Sequence, residues 1–509
     1  MTPALTAALA ALPAKLAAHI VLSAAALVLA IALATPLVLI VRTRPRLQAA
    51  VLGAAGFVQT IPALALLALF YPALLALRGL VGGSLPVLGF LPALLALALY
   101  ALLPLLRGGV SGLASVAPEV LEAADGIGLT RRQRLTMVEL PLASPIIVGG
   151  VRTAAVWTIG AATLATAVGA TCLGDFIFAG LQTENWASVL VGCGGAAGLA
   201  LSVDALLGLV ESGVARGSLR RWLAGLGGIA LIVALALVPA PRSRAVPVVV
   251  GAKNFSEQYI LSRLIAARLA PRAVVERGGL GSAVAFRALA ANDVDVYVDY
   301  AGTLWSNVLG HTEPKPRTAM LAALPGELKS RFGVGVVGPL GFENAYVLAV
   351  RRDTATRLHI ATIADLARVA PRLTLGADIE FLSRPEWRGL DAGYGLRFRA
   401  MKSFEPSFMY RALASGDADV ISAFSSDGRI AAQDLVVLAD PLGALPAYDA
   451  LLLVSPARAR DHALDAALRP LVGRIDVAAM RRANLSVDRD TAKLSPAAAA
   501  AALDQEIRR

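Results

Sequence analysis

In the first half of the chain, polar positions are so sparse that apolar ones merge into long runs. Six runs, at about 19–41, 50–77, 86–106, 143–169, 189–214 and 222–240, are each near the ~20 residues a helix needs to cross a bilayer. The stretch 172–188 is interrupted by Gly174, Asp175, Gly180, Glu184 and Asn185 and is expected to be a loop or a short re-entrant piece. Past a proline-punctuated linker at 241–247 the pattern changes. Val248-Val249-Val250 stops at Gly251 and reads as a buried strand, and a helix-like run follows over Ser256–Leu269. Strand patterns then alternate with helical ones at Val294–Val298, Val334–Val337, Tyr346–Val350, Leu373–Gly376, Val420–Ala423 and Ala450–Val454. That alternation predicts an α/β domain with mainly parallel sheet.

Charge sharpens the division. Residues 1–245 hold eight of the 36 acidic residues and 15 of the 47 basic ones. The formal charges of the halves are therefore +7 and +4 (15 − 8 and 32 − 28), and the total of +11 needs no nucleic acid to explain it. No basic recognition helix or aromatic-interleaved basic stripe is present. The arginines of the first half cluster in alternate loops: Arg42, Arg44 and Arg46; Arg107, Arg131, Arg132 and Arg134; Arg216, Arg220 and Arg221. The positive-inside rule makes those three loops cytoplasmic and sends the N-terminus and everything after the sixth run to the outer face. Because the arginines follow the first run, that run reads as a retained span rather than a cleaved leader.

Catalytic chemistry has little to stand on. The two cysteines, Cys172 and Cys193, lie apart in apolar sequence, and the four histidines are not at metal-ligand spacing. No Gly-x-Ser-x-Gly elbow occurs, and no Gly-x-x-x-x-Gly-Lys-Ser/Thr loop that would cradle ATP phosphates. No catalytic residue, metal or cofactor is expected.

The loop at 118–141 is the most specific signal in the first half. It opens on Pro118-Glu119-Val120-Leu121, continues as Glu122-Ala123-Ala124-Asp125-Gly126, and closes on Leu140-Pro141. It reads as a short amphipathic helix, a glycine turn at Gly126, a basic helix over Thr130–Val138 and a proline re-entry to the membrane. It resembles the coupling loop of ABC importer permeases: Glu-Ala-Ala at 122–124, a gap of three to Gly128, a gap of nine to Val138, then one residue and Leu-Pro. The resemblance implies a type I permease domain at 1–240. In it Glu122, Ala123, Ala124, Gly128, Leu140 and Pro141 dock against a separate cytoplasmic ATPase subunit. Gln59-Thr60-Ile61-Pro62-Ala63-Leu64-Ala65-Leu66 and the region from Gly174 to Asp204 look like glycine betaine and osmoprotectant permeases.

A quaternary ammonium group has no N–H to donate. A protein holds it by cation–π attraction, dispersion and nearby negative charge, while an attached carboxylate wants Arg, hydroxyls or backbone N–H. Five segments after the linker offer such groups: Lys253–Gln258, where Ser256 is a plausible N-cap, Tyr297–Thr303, Asn344–Tyr346, Glu380–Arg384 and Phe424–Gly428. In that order they resemble the substrate-binding proteins of the glycine betaine, carnitine, choline and osmoprotectant importers, a family with an ergothioneine-binding branch. Ala301 and Phe424 depart from the family pattern, and Ser426 stands where it has Thr. The resemblance implies a two-lobed, type II periplasmic-binding-protein domain at 248–509. Lobe 1 takes about 248–345 and 452–509, lobe 2 about 346–451, with crossovers near 343–347 and 448–452. It further implies an aromatic cage of Tyr300, Tyr346 and Phe424, with Phe381 and Tyr394 as additional rings. Polar contacts fall to Asn254, Ser282, Thr303, Asn344 and Ser425, and Arg384 takes a ligand carboxylate.

The expected protein is thus a multi-pass inner-membrane importer subunit for a small quaternary-ammonium solute. Its binding domain faces the extracytoplasmic side, and the chain is paired as a homodimer with an ATPase. A membrane-anchored sensor, or an importer of a different amino-acid-like solute, is the alternative, and the sensor lacks an output module.

Overall fold

The computed structural model describes residues 3–81, 85–183, 185–238, 247–311, 315–489 and 491–508; of the expected linker only Pro247 lies within them. The chain separates into two compact units. One takes residues 5–177 and 187–242; the other takes 243–509 with the short stretches 1–4 and 178–186.

The first unit is helical: α1 Pro3–Val41, α2 Pro45–Thr60, α3 Ala63–Val81, α4 Phe90–Ala114, α5 Pro118–Gly126, α6 Arg131–Arg134, α7 Leu140–Ala161, α8 Gly174–Gln182, α9 Trp186–Ala215 and α10 Leu219–Leu237. Among the described residues, six helical segments are long and apolar enough to cross a membrane: Ala8–Val41, Ala63–Leu80, Phe90–Ala114, Arg131–Val168, Trp186–Ala215 and Leu219–Leu237. The expected second span at 50–77 is not one helix. Pro62 bars the helical conformation from the residue before it, Ile61 turns extended at φ −73° and ψ 126°, and α2 and α3 are separate. Pro141, by contrast, makes no break. A π-helical turn at Leu135–Glu139, just before it, widens the helix and joins α6 to α7 in one continuous rod. The expected loop at 172–188 contains the nine-residue α8, with Asp175 in its first turn; Glu184 lies outside the described residues.

Close packing in this unit runs through small residues. A Cβ on Gly108 would meet the Gly150 Cα at 2.8 Å, so α4 and α7 touch backbone to backbone. Arg152 on α7 makes a two-pronged bond to Asp204 on α9, at 2.5 and 2.6 Å, and reaches Glu211 at 3.3 Å. Lys15, the one charged residue of α1, pairs with Asp175.

The second unit holds two five-stranded sheets. In chain order the strands are β1 Val248–Lys253, β2 Val274–Leu280, β3 Val296–Tyr300, β4 Gly335–Glu343, β5 Tyr346–Arg351, β6 Thr374–Ala377, β7 Ala400–Ser403, β8 Val420–Phe424, β9 Leu435–Val437 and β10 Asp449–Val454. The sheets are ordered β2-β1-β3-β10-β4 and β7-β6-β8-β5-β9. Parallel pairing is confined to β1 with β2 and β3 and to β6 with β7 and β8, so the sheets are mixed rather than mainly parallel. The antiparallel strands are those next to the crossings: β5 against β8 and β9, and β10 against β3 and β4. The chain leaves the first sheet between Glu343 and Tyr346. It returns at Asp449, so 449–451 stand in the first sheet, three residues earlier than the expected lobe boundary. Apolar faces of β1 and β3 (Val248, Val250, Val296, Val298) pack against Ile260, Leu261 and Leu264 of helix α11, Ser256–Arg268.

Candidate functional site

A cavity of about 530 Å³ opens where strand ends of both sheets meet. Its walls come from the ends of β1 and β3, the β4–β5 crossing, and the segments 378–384 and 403–405. This is the usual place for a ligand in open α/β sheets, because strand ends expose side chains and backbone groups that the sheet interior would bury.

Eight of the eleven expected ligand residues line it: Asn254, Ser282, Tyr300, Thr303, Asn344, Tyr346, Arg384 and Phe424. Phe381, Ser425 and Tyr394 do not. Phe381 is fully buried behind Tyr346, with ring centroids 4.9 Å apart, and backs the wall rather than forming it. Ser425 staples the strand crossing: the Ala345 N–H donates to its Oγ at 2.9 Å, and that hydroxyl donates to the Glu343 carbonyl at 3.2 Å. Tyr394 is also elsewhere, donating to Asp440 and accepting the Leu442 N–H. Nor does Ser256 cap α11; it is the first helical residue, and its hydroxyl donates to Asp488 at 2.5 Å.

The expected rings do not form the cage alone. Phe255 stacks between Tyr300 (centroids 6.2 Å, planes 29° apart) and Phe424 (6.1 Å, 10°). Tyr346 lies against Phe424 at 4.8 Å and meets Tyr448 edge-on at 5.9 Å. Phe255, Tyr448, Phe404 and Lys253 line the cavity and were not singled out from sequence. Phe255 sits inside the Lys253–Gln258 motif, one residue from the chosen Asn254, and Tyr448 falls within the expected return crossing, so both had a local signal.

The charges are arranged in two groups. Arg384 is buried and bonds Glu380, reaches Thr303 Oγ1 at 3.4 Å and Glu386 at 3.7 Å, and lies over the Tyr346 ring at 5.4 Å. Its Nε has no hydrogen-bond partner among the described residues, nor has Asp378 Oδ2. Glu380 is exposed at the rim and accepts from Ser282 at 3.1 Å. Burial pushes the Glu380 carboxyl up, and Arg384 and Lys253 more than offset this, leaving it below its ordinary range. Burial holds Asp378 above its ordinary range. Across the cavity Lys253 pairs with the buried Asp299 and stands 5.2 Å from the Tyr300 ring centroid. The cavity therefore combines π density with a buried guanidinium.

The six residues expected to form the coupling surface all belong to the first unit. α5 carries Glu122, Ala123 and Ala124, and Pro118 at its start suits the fixed proline φ. The turn is made at Gly128, with φ +84°, rather than at Gly126, which is still helical. Thr130 and Gln133 form a capping box that starts the next helix, which carries Leu140 and Pro141.

Residues 246–505 match the family described as the substrate binding domain of ABC-type glycine betaine transport system, and residues 19–216 match the binding-protein-dependent transport system inner membrane component. An ergothioneine transport permease/ergothioneine binding protein of Helicobacter pylori (strain G27) is 30% identical over 425 residues, covering 80% of this chain and 74% of that one. A choline transport system permease protein of Bacillus subtilis (strain 168) is 35% identical over 193 residues, 38% of this chain and 83% of that one. A carnitine transport binding protein of Listeria monocytogenes serotype 1/2a (strain 10403S) is 30% identical over 214 residues, 41% of this chain and 70% of that one.

Proposed function

This chain belongs to the ABC-type glycine betaine transport family and carries that family's inner membrane component and substrate-binding domain in one polypeptide, and on that premise we propose that it imports a small quaternary-ammonium solute. It is a transport component of the membrane rather than an enzyme, and its binding domain is of the kind found on the extracytoplasmic side. The solute assignment is supported by one observation above the others: a ring cluster of Phe255, Tyr300, Tyr346, Phe424 and Tyr448 shares its cavity with the buried Arg384.

In this reading the trimethylammonium group packs against the rings, where cation–π attraction replaces the hydrogen bonds it cannot make. Arg384 Nε takes a carboxylate or a comparable acceptor at the other end, with Asn254, Ser282, Thr303 and Asn344 as polar contacts. Ligand bridging the two sheets favours closure of one lobe on the other, which signals occupancy to the membrane domain. Glu122, Ala123, Ala124, Gly128, Leu140 and Pro141 present the coupling surface to a separate ATPase subunit. Two copies of the chain complete the pathway.

The test is calorimetry on the full chain in lipid nanodiscs against choline, glycine betaine, carnitine and ergothioneine, with glycine and proline as comparison. At least one trimethylammonium compound is expected to bind, and Tyr346→Ala to weaken it at least tenfold, from the loss of a desolvated cation–π contact of about 2 kcal/mol. Binding of a plain amino acid with no response to any of the four would sink the solute assignment.

A further inference from the structure

Behind the aromatic wall lies a second, smaller chamber of about 40 Å³. Phe255, Asn344 and Phe424 line both cavities, so they are the partition between them. On the far side of that partition sits Glu257, in the first turn of α11 and 2% exposed.

The bonding of Glu257 is unusual for a buried carboxylate. Tyr300 donates its hydroxyl to Oε1 at 2.5 Å, Asn344 Nδ2 donates to the same oxygen at 3.0 Å, and Asn484 Nδ2 donates to Oε2 at 3.0 Å. Every one of these donors is neutral. Cations nearby have acidic partners of their own: Lys253 of β1 is paired with Asp299 of β3, and Arg429 with Asp427. Asp488, on the helix Val477–Asp488, completes the charges facing this chamber, alongside Asp427 and Arg429. A buried charge without a counter-charge is costly, and buried carboxylates are normally paired.

The network also accommodates the uncharged acid. Asn344 Oδ1 and Asn484 Oδ1 are both buried without a hydrogen-bond partner among the described residues. A half-turn of the Asn344 amide would present that oxygen to a protonated Glu257, in exchange for the Nδ2 donor the carboxylate now receives, whereas Asn484 is held as it stands by its bond to the Ser426 carbonyl at 3.0 Å. A charge arriving nearby shifts the balance between acid and carboxylate. The ring of Tyr300 faces the large cavity while its hydroxyl touches Glu257, so one phenol spans the distance from ligand wall to carboxylate.

We propose that Glu257 is a positioning residue that orients Tyr300 and supplies, from behind the ring, the negative charge that makes the wall prefer a cation to a neutral group of the same shape. In the pH window where the free protein holds Glu257 as the acid, seating of a quaternary ammonium group on the wall breaks its O–H bond, the proton leaves to solvent, and the carboxylate remains as counter-charge. This rests on the quaternary-ammonium reading above and deepens it. Burial holds the Glu257 carboxyl above its ordinary range in the free protein, and the ligand's positive charge brings it down in the complex. Between those two values binding releases a proton, so affinity is low on the acid side, rises with pH through that window and levels off above it.

The experiment uses the full chain in nanodiscs and two ligand pairs matched in shape: choline with 3,3-dimethylbutan-1-ol, and glycine betaine with 3,3-dimethylbutanoate. The quaternary-ammonium member of a pair is expected to bind the wild type more tightly, with proton release detected by calorimetry in buffers of different ionisation enthalpy. Glu257→Gln should cut the preference for the quaternary-ammonium member about tenfold, the scale of one unit charge at short range in a partly wet site, and abolish the rise with pH. A cooperative thermal unfolding transition like that of the wild type shows that the variant is folded. Should Glu257→Gln fail to fold, Tyr300→Phe, which breaks the bridge while leaving the ring, is expected to reduce the same preference by a smaller factor. Asp488→Asn, whose parent carboxyl burial pushes up to about 6, is expected to leave the pH slope in place. Glu257→Gln with an unaltered preference and pH slope overturns the proposal. A wild type that binds neither quaternary-ammonium ligand counts instead against the quaternary-ammonium reading, and the two failures are told apart by that first measurement.

Discussion

Two buried glutamates, one in each unit, show how differently the halves of this chain handle charge. Glu139, at the start of α7, is 6% exposed and is held by Arg42 at 2.5 Å and Arg134 at 2.9 Å. Glu257, 2% exposed, is met by a phenol and two amides. Glu139 has its compensation within the chain and needs nothing further, which marks it as a fastening between the end of α1 and the coupling segment. Glu257 has hydrogen bonds from neutral groups and a place in a helix first turn, but no cationic side chain bonded to it. The difference teaches that burial alone does not mark a functional carboxylate; the charge of its partners does.

The comparison breaks most visibly through Glu139. Glu139→Ala leaves Arg42 without its carboxylate at a packed helix junction and is expected to cost about 3 kcal/mol, read as a lowered unfolding midpoint of the full chain in detergent. Glu257→Gln keeps the shape and can still accept from Tyr300, so it is expected to cost within about 1 kcal/mol in the same measurement. Equal losses would show that both glutamates are structural fastenings. Arg384→Ala comes next. It removes the donor with a free Nε and should weaken glycine betaine about thirtyfold, a charge-assisted bond of about 2 kcal/mol, while changing choline less, because choline carries no carboxylate. Phe255→Ala, at the centre of the stack between Tyr300 and Phe424, should weaken both ligands about tenfold, measured by the same calorimetry.

How much of this was legible in the sequence depends on where each element sits. The six spans were visible because hydropathy acts over twenty residues at a time, and only Pro62, a single-residue effect, was overridden by that averaging. In the second unit the strands inside the sheets were read from their apolar runs, whereas β2, β7 and β9 were missed. All three are edge strands. For two of them the reason is solvent, since an edge strand need not be apolar: β2 carries Glu276, Arg277, Gly278 and Gly279, and three of the four residues of β7 are exposed. β9 is apolar, Leu-Val-Val, but at three residues is shorter than the runs that mark a strand. Strand direction was also hidden, since a β10 that returns antiparallel has the same apolar pattern as one that runs parallel. At the cavity, the segment order identified eight lining residues. The rings Phe255 and Tyr448 escaped because a phenylalanine beside a helix start and a tyrosine before a strand look like packing until the sheets bring them together. Glu257 escaped for a related reason: on a helix first turn an acid is favourable anyway, and only its partners from three distant segments show that no cationic side chain is bonded to it.

The smallest expected effect tests the first unit's other end. Gly128 holds φ +84°, in the left-handed region, and an added Cβ there would meet nothing within 4 Å. Gly128→Ala therefore costs only the backbone term, about 1 kcal/mol, with no clash. Gly126, three residues after Ala123, is helical and also has open space, so Gly126→Ala is expected to be neutral or slightly stabilising. If the loop from α5 to α6 passes motion between an ATPase and the spans, the strained turn is what keeps Glu122, Ala123 and Ala124 in register with the Thr130 cap. Gly128→Ala should then lower ligand-stimulated ATP hydrolysis by the reconstituted complex several-fold while leaving solute affinity unchanged, and Gly126→Ala should alter neither. A Gly128 variant that kept full stimulation would place the coupling contact elsewhere in the first unit, and would leave Glu139 and its two arginines as a fastening with no part in transmission.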